Sequence, residues 1–314
     1  MPPSPSSPDM LAASKLSRGA ASRVLPPLPF VKDYPEYLSG LQTIIGVGKN
    51  YSKHIDEMWE KYEKDLPKAK KQKTDPSHLH TGSNPISRTR QSRPSHDPIL
   101  FQKPRTSLVF DSPIMYPKSC GPVHHEIELA VIIGKQAYNV REQDALQYVR
   151  GFTVGLDMTA RDPQTAAKDN GHPWDVAKGR PHFLPLPRNY LTTAECLPNG
   201  SDAAGGSLAA SCKSALPHAE FGLELKVNGK VRQSTSTKDL LFDVPFLIAH
   251  ISKVFPLMPG DVIMTGTPEG VAGVEHGDHL ELELQLLDGA ESSDKATKLK
   301  CDFHAELFQD DDAV

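Results

Sequence analysis

Alternation of apolar and polar residues in the C-terminal half constrains the fold of this 314-residue chain more than any other feature. Leucines occupy every second position of 280–286, and apolar side chains recur with the same period over 299–307. Side chains on a β-strand point alternately to the two faces of its sheet. Both segments are therefore predicted to be half-buried strands.

Three further segments indicate the fold class. Residues 223–227 and 230–234 flank Asn228-Gly229 and predict a hairpin, because both turn positions tolerate positive φ. Residues 239–255 predict a helix capped by Ser236 or Thr237, and Pro245 implies a late start or a kink. A short strand is expected at 262–264. With no βαβ series to suggest a doubly wound sheet, the sum is a β-rich α+β domain.

Composition predicts one folded domain, residues 41–308, with less ordered surroundings. Residues 1–40 are expected to be largely disordered, and 309–314 form an acidic tail. Polar or small residues with few apolar ones predict surface insertions at about 60–96 and 192–218.

Charge and hydropathy exclude several classes of partner. A net charge of −4 gives no basic field for nucleic acid, and the longest apolar run, 129–133, is too short to cross a membrane. Four cysteines without a CxxC pair favour a reducing compartment. Residues 1–25 lack a secretory core; they suit either a mitochondrial transit peptide or a disordered tail, so we expect a mitochondrial or cytoplasmic protein.

The segment HHEIELAVIIG, residues 124–134, carries the first chemical signal. On a strand, Glu126 and Glu128 point the same way, roughly 7 Å apart. Like charges beside an apolar run are costly unless something neutralises them, and a divalent cation would do so. Two solvated glutamates on an edge strand explain these residues equally well.

Asp157 supplies a third carboxylate. It ends the apolar run of GFTVGLDMTARD, where an unpaired charge is hard to tolerate, although a turn or helix-capping aspartate is a common alternative. All-oxygen ligands favour magnesium, manganese or calcium over zinc.

His54 and Glu57 could act as a pair. The segment IIGVGKNYSKHIDEM predicts a strand, a glycine turn and a helix start that Asn50 could cap. Residues three apart share a helix face, so Glu57 could orient the imidazole or jointly hold a water for general-base work. Surface residues often show the same spacing.

Lysines and a glycine-rich turn complete the candidates. Lys103 interrupts an apolar run and Lys178 follows a helical turn, so either could meet a carboxylate or an enolate oxygen, or lie exposed at a strand or loop end. In MTGTPEGV, the hydroxyls of Thr265 and Thr267 and backbone N–H groups could bind an anion, although a plain turn is the simpler interpretation.

Taken in order, these segments resemble the fumarylacetoacetate hydrolase family, and most closely its short members with acylpyruvate hydrolase and oxaloacetate decarboxylase activity. GVGKNYSKHIDEM, HHEIELAVIIGK, YVRGFTVGLDMTARDPQ and LMPGDVIMTGTPEGV are among the matching pieces, which cover most of 41–190 and 219–308.

The resemblance implies a mixed β-roll fold, a homodimer, and Mg²⁺ or Mn²⁺ bound by Glu126, Glu128 and Asp157. It implies a water-activating His54–Glu57 dyad on a lid and a catalytic Lys178. The implied substrate contacts are Lys49, Lys103, Arg161, Gln164 and Thr267. Lys49 stands where the family usually has arginine, Arg105 where it often has serine, and Gly179-Arg180 where Ser-Phe is expected.

Three functions follow as hypotheses. The first is metal-dependent hydrolysis of a C–C bond in acylpyruvates, with decarboxylation of oxaloacetate at the same site. The second is isomerisation or decarboxylation of a 2-oxo-dienoate from aromatic breakdown, which needs no activated water. The third is a non-enzymatic binding protein that docks through the basic insertion at 60–96.

Overall fold

The structure, a computed structural model, describes residues 33–55, 57, 94, 96–111, 113–196, 219–287 and 297–308. The predicted acidic tail, most of the predicted N-terminal region and most of both predicted insertions lie outside the described residues.

Strands dominate the part of the chain that is described. The strands are β1 Ile44–Gly48, β2 Ile99–Lys103, β3 Leu108–Val109, β4 Ile114–Pro117, β5 Val123–His125, β6 Ile127–Ile133, β7 Val149–Leu156, β8 Thr159–Ala160, β9 Leu184–Pro185, β10 Leu191–Thr192, β11 Glu220–Val227, β12 Lys230–Ser236, β13 Val262–Met264, β14 Ala272–Gly273, β15 His279–Leu287 and β16 Lys298–Phe308. The α-helices are α1 Arg161–Asn170, α2 Asp175–Lys178 and α3 Val244–Val254, and residues 52–55 are also helical.

Two larger sheets form the body of the domain. One has the order β10-β7-β6-β13-β1-β2, the other β12-β11-β15-β16-β4. Most pairings are antiparallel, but β1 with β13 and β16 with β4 run parallel. This mixed, strand-rich architecture confirms the predicted α+β class.

One hydrophobic core joins the two sheets. It contains residues of β6 and β7 from the first sheet and the inward side chains of β11, β15 and β16 from the second. The rings of Phe152 and Phe221 meet across it, with centroids 4.8 Å apart. A smaller cluster on the other face of the first sheet includes Ala130 and Ile132.

The predicted local elements are largely confirmed. The hairpin turns at Asn228 and Gly229 with φ of 53° and 73°, and both leucine-rich segments are strands. The long helix begins late, at Val244, with Pro245 in its first turn, where no intrahelical N–H bond is lost. The predicted cap is wrong: Asp243 caps this helix, and Ser236 caps a separate 3₁₀ turn.

The domain extends beyond the predicted boundaries. Tyr37 and Leu38, placed in the largely disordered N-terminal region, are buried, and the Tyr37 hydroxyl donates to the Pro187 carbonyl. Thr192, the last residue of β10, and the buried Cys196 likewise fall within the predicted insertion that starts at about 192. Among the described residues, no helix has the length and apolar content needed to span a bilayer.

Candidate active site

The three predicted carboxylates meet where β6 and β7 lie side by side. Glu126 occupies a break between β5 and β6, so the predicted strand is interrupted there, and Asp157 follows the last residue of β7. The Asp157 N–H donates to the Glu126 carbonyl at 2.8 Å. All three side chains are buried, and one oxygen from each lies within 4.8 Å of the others.

Two basic residues, Lys178 and Arg161, pair with Glu126, and Lys178 also pairs with Asp157. Lys178 Nζ lies 2.8 Å from Glu126 Oε2 and also contacts Asp157 Oδ2. Arg161 lies 2.6 Å from Glu126 Oε1. Burial opposes ionisation of Glu126, but Lys178 and Arg161 outweigh it and hold the pKa of that carboxyl below its usual range.

Glu128 is compensated differently. Its Oε2 accepts the Gly266 N–H at 2.7 Å, and within the described ranges no basic nitrogen lies within ion-pair distance. Burial and the charges of Asp157 and Glu126 raise the pKa of Glu128 well above its usual value.

This donor set fits a hard divalent cation. Three convergent carboxylate oxygens suit ions such as Mg²⁺ or Mn²⁺, and a cation beside Glu128 would offset the burial and repulsion that oppose its ionised form. Glu126, Glu128 and Asp157 could therefore hold such an ion.

One pocket collects most of the other predicted residues. The empty space between its walls amounts to about 380 Å³, part of it open to solvent. The carboxylates line it together with further residues named from the sequence, namely Lys49, His54, Arg161, Gln164, Lys178 and Thr267.

Lys103 and Glu57 lie outside this lining. Lys103 is buried behind the carboxylates; its Nζ lies 2.7 Å from Asp157 Oδ1 and donates to the carbonyls of Met158 and Phe183. An ammonium group has three protons, so none is left for a substrate. We therefore propose that Lys103 positions Asp157, in place of the substrate contact implied by the resemblance.

His54 and Glu57 are close but not directly bonded. His54 Nδ1 lies 3.9 Å from Glu57 Oε2, and Glu57 accepts the Gly270 N–H at 3.0 Å. Among the described residues, His54 Nδ1 has no hydrogen-bond partner. Burial lowers the pKa of His54 despite the nearby Glu126, so the imidazole is neutral at pH 7 and can accept a proton.

Asn50, predicted to cap a helix, and Thr265, predicted to bind an anion, instead form hydrogen bonds that hold the fold together. The Asn50 side chain bonds both N–H and carbonyl of Phe242 and the carbonyl of Thr265, so it ties β1 to the segment before α3 and does not cap the helical turn. The Thr265 hydroxyl donates to the Leu129 carbonyl. Thr267 does reach the pocket, held by a 2.8 Å bond from Gln233 Nε2.

Four residues of the site were missed from the sequence: Phe101, Lys168, Trp174 and Gln233. The rings of Phe101 and Trp174 pack 5.8 Å apart on the pocket wall. Gly46 and Gly48 make room for them, since a Cβ at Gly46 would meet Phe101 at 2.2 Å and one at Gly48 would meet Trp174 at 3.0 Å. The two alternating glycines of IIGVG are the sequence signal that large side chains pack against this strand.

Comparison with known proteins identifies the family. The family model described as fumarylacetoacetate (FAA) hydrolase C-terminal matches residues 43–297, well over half of the chain. The chain belongs to the fumarylacetoacetate hydrolase family. The fold is accordingly the α+β type of that family, and the sequence-based assignment is confirmed.

Relatives in this family have several activities. The human protein named oxaloacetate tautomerase FAHD1, mitochondrial, is 33% identical over 241 residues, 76% of this chain and 86% of its own. A fumarylpyruvate hydrolase from Pseudomonas aeruginosa, solved with Mn²⁺ and pyruvate, is 26% identical with a TM-score of 0.59, covering 85% of this chain and 91% of its own. A 2-hydroxyhepta-2,4-diene-1,7-dioate isomerase from Mycobacterium marinum is 26% identical, with a TM-score of 0.56 and coverage of 85% and 75%.

Proposed function

We propose that this protein is a metal-dependent hydrolase that cleaves a C–C bond in acylpyruvates and also decarboxylates oxaloacetate. The observation that carries the proposal is the buried His54, which lines the same pocket as the three carboxylates and whose Nδ1 has no hydrogen-bond partner among the described residues. A neutral imidazole beside a cation site suits activation of water. The fumarylpyruvate hydrolase among the similar structures supports this reaction class.

The residues of the chain divide the reaction between them. His54 takes a proton from water as the oxygen attacks the carbonyl farther from the carboxylate. The C–C bond then breaks, its electron pair passes to the departing pyruvate enolate, and the protonated His54 returns its proton to that carbon. Glu57, fixed by Gly270, favours the protonated imidazole electrostatically.

Arg161, Gln164 and Thr267 would bind and orient the 2-oxo acid. Arg161 donates to Gln164 at 2.8 Å, which fixes both side chains on one face of α1. Lys178 adds positive charge near oxygens that become negative during cleavage. Mg²⁺ or Mn²⁺ bound by Glu126, Glu128 and Asp157 would supply Lewis-acid stabilisation of that charge.

Isomerisation or tautomerisation is the second candidate. The human relative is named for oxaloacetate tautomerisation and the mycobacterial structure for isomerisation of a dienedioate. Both reactions move protons without consuming water, so neither needs the His54–Glu57 pair to activate one. The presence of the pair favours hydrolysis.

One set of assays separates these functions. We expect acetylpyruvate cleavage and oxaloacetate decarboxylation by the wild type, both lost with chelator. Glu57→Gln should lower hydrolysis by about 10²-fold, the scale of general-base assistance, and decarboxylation far less. Equal loss of both activities would contradict this division of roles.

Asp157→Asn tests the cation site in the same assays. It should weaken Mn²⁺ binding and turnover, whereas the exposed Asp169→Asn at the end of α1 should leave both unchanged. If Asp157→Asn altered neither, the enzyme assignment would fail and the hypothesis of a non-enzymatic binding protein would gain support.

Two further properties are proposed from the resemblance. We propose a homodimer, which light scattering on the eluting protein would test. We also propose a mitochondrial location, in line with the name of the human relative, and microscopy of the tagged protein would test it.

A further inference from the structure

We propose that His279, Asp302 and His304 form a second metal site, which binds Zn²⁺ on the outer face of the second sheet, the face turned away from the hydrophobic core. The three residues lie on β15 and β16, and none of them lines the active-site pocket. The inference is independent of the proposed function. It assigns a different metal and a different set of ligands, and its role is to hold two strands together.

Strand pairing places the two histidines directly opposite each other. His279 on β15 and His304 on β16 are register partners. At the next pair of residues the Ala305 N–H donates to the Asp278 carbonyl, so His279 and His304 form a non-hydrogen-bonded pair. Side chains of such pairs lie closer together than those of hydrogen-bonded pairs. The two imidazole rings accordingly stack, with centroids 4.6 Å apart and planes 17° from parallel.

Asp302 joins this pair from the same face of β16. It precedes His304 by two residues, so both side chains point to the outer face, while Phe303 between them is buried in the core. His279 Nε2 lies 3.2 Å from Asp302 Oδ2. One donor atom from each of the three side chains lies within 4.8 Å of the other two. Donors in a tetrahedral zinc site lie roughly 3.3–3.6 Å apart, so side-chain shifts of about 1 Å complete the set.

Two imidazoles and one carboxylate favour zinc over the ions expected in the active site. Imidazole nitrogen suits Zn²⁺, whereas Mg²⁺ and Mn²⁺ favour oxygen ligands. Zinc accepts three protein ligands of these types in a tetrahedral arrangement, with water in the fourth position. The site therefore differs in chemistry from the all-carboxylate centre of Glu126, Glu128 and Asp157.

A chain of hydrogen bonds fixes the backbone that carries His279. The His279 N–H donates to Asn228 Oδ1, and Asn228 Nδ2 donates to Asp278 Oδ1. Asp278 Oδ2 in turn accepts the Glu275 N–H. The turn of the β11–β12 hairpin is thereby tied to the start of β15. A ligand held in this way needs little rearrangement to bind a metal.

Charges on the same face favour a cation at this end of the sheet. Glu281 is the register partner of Asp302 and adds negative charge on the same face. Lys300 also shares the face, but its Nζ lies 2.8 Å from Glu283, so its charge is directed to a different carboxylate. A cation beside Asp302 would therefore be attracted by two carboxylates.

A bound zinc ion would hold β15 and β16 together. Strand β16 links β15 to β4 in the second sheet, and its inward Phe303 and Ala305 belong to the hydrophobic core. Unfolding would separate the ligands, so zinc binding stabilises the folded domain. We expect the site to stabilise the second sheet and not to take part in turnover.

Zinc titration of the full chain separates the two metal sites. Calorimetric titration in excess Mg²⁺, which competes for the carboxylate centre, should show zinc binding to the wild type. Asp157→Asn, which damages that centre, should retain this binding with or without Mg²⁺. His279→Gln and His304→Gln should each weaken it by more than about 10²-fold, since losing even an outer hydrogen-bond partner of a metal ligand typically costs 10–100-fold.

Thermal unfolding in the same buffer measures the stabilisation. Zinc at about 100 times its Kd should raise Tm of the wild type by about 5 °C or more. The rise should vanish in His304→Gln. His172→Gln is the matched control: it removes an exposed imidazole beyond the end of α1, outside both metal sites, and should respond to zinc as the wild type does. Melting without zinc confirms that each variant is folded.

Three results would overturn the site. They are equal zinc affinities of the wild type and His304→Gln, loss of all zinc binding in Asp157→Asn, and an unchanged affinity in Asp302→Asn, which would remove the third ligand from the set. None of these measurements uses turnover. Failure of the proposed hydrolysis would therefore leave the zinc site intact, and loss of the zinc site would leave the proposed hydrolysis intact.

Discussion

At the scale of single residues, the site is a balance of charges that Glu128 upsets. Glu126 and Asp157 have basic partners, whereas Glu128 has a backbone N–H from Gly266 and two carboxylates as neighbours. Such an arrangement destabilises a protein without its cation, which is a common cost of a functional site.

Glu128→Gln should separate stability from cation binding. The amide keeps an oxygen for the Gly266 N–H but removes the repulsion with Asp157 and Glu126. We expect the cation-free variant to melt about 3 °C or more above the wild type, since roughly 1 kcal/mol shifts Tm by 2–4 °C in a domain of 150–250 residues.

Calorimetry with and without Mn²⁺ measures both effects. The cation should raise Tm of the wild type but not of Glu128→Gln. Glu306→Gln, which removes the same charge from an exposed position of β16, serves as the matched control and should change neither value. A cation-free variant less stable than the wild type would show that repulsion at Glu128 is not significant.

The residue scale also marks the limit of prediction from sequence. The spacing of Glu126 and Glu128 and the position of Asp157 indicated a metal site because local strand geometry sets them. Lys103 and Lys168 could not be assigned in this way. The partner of Lys103, Asp157, lies 54 positions later, and Lys168 lines a pocket that distant segments build.

At the scale of elements, the β11–β12 hairpin holds parts of the site in place through the hydrogen bonds of one side chain. Gln233 on β12 accepts the Ile127 N–H at 3.0 Å, beside Glu126, and donates to Thr267 and to the Pro268 carbonyl. Its Oε1 also lies 3.0 Å from His125 Nδ1. One buried amide thus joins the strand that carries the carboxylates to the loop that carries Thr267.

Gln233→Met should damage both stability and the site. The substitution keeps the volume but leaves the Ile127 N–H and the Pro268 carbonyl without this partner, at a cost of about 1–3 kcal/mol in the free energy of unfolding. We expect kcat/KM to fall about tenfold and Mn²⁺ affinity to weaken, measured well below the melting temperature.

Gln285→Met on β15 is the control, because that side chain is only partly buried. It should retain wild-type turnover and cation affinity. If Gln233→Met lost stability yet kept its Mn²⁺ affinity and kcat/KM, the amide would support the fold alone and not the site.

Element prediction succeeded where the pattern is local. The alternation of apolar and polar residues correctly predicts β15 and β16, and Asn228-Gly229 correctly predicts the hairpin. Both succeed because turn and strand preferences depend on neighbouring residues. It failed at Asn50, whose predicted cap is replaced by bonds to Phe242 and Thr265, 192 and 215 positions away. Such long-range partners are invisible to local spacing.

At the scale of the whole molecule, the site and the two sheets share one core. Strands β6 and β7 contribute the carboxylate ends on one side and core residues on the other, and these pack against β11, β15 and β16. The contact of Phe152 with Phe221 belongs to that interface. We therefore expect the described domain to unfold as one cooperative unit.

Cation binding should accordingly stabilise the entire domain and not the pocket alone. In a Trp59→Phe background, Trp174 reports on the pocket by fluorescence, and far-UV circular dichroism reports on all strands. We expect coincident transitions, and Mn²⁺ at about 100 times its Kd should shift both by the same amount, because binding then adds roughly 2.7 kcal/mol to the free energy of unfolding. Asp157→Asn should abolish the shift in both signals. A fluorescence transition several degrees below the dichroism transition would mean that the pocket melts first, so the coupling through β6 and β7 would be weaker than their packing implies.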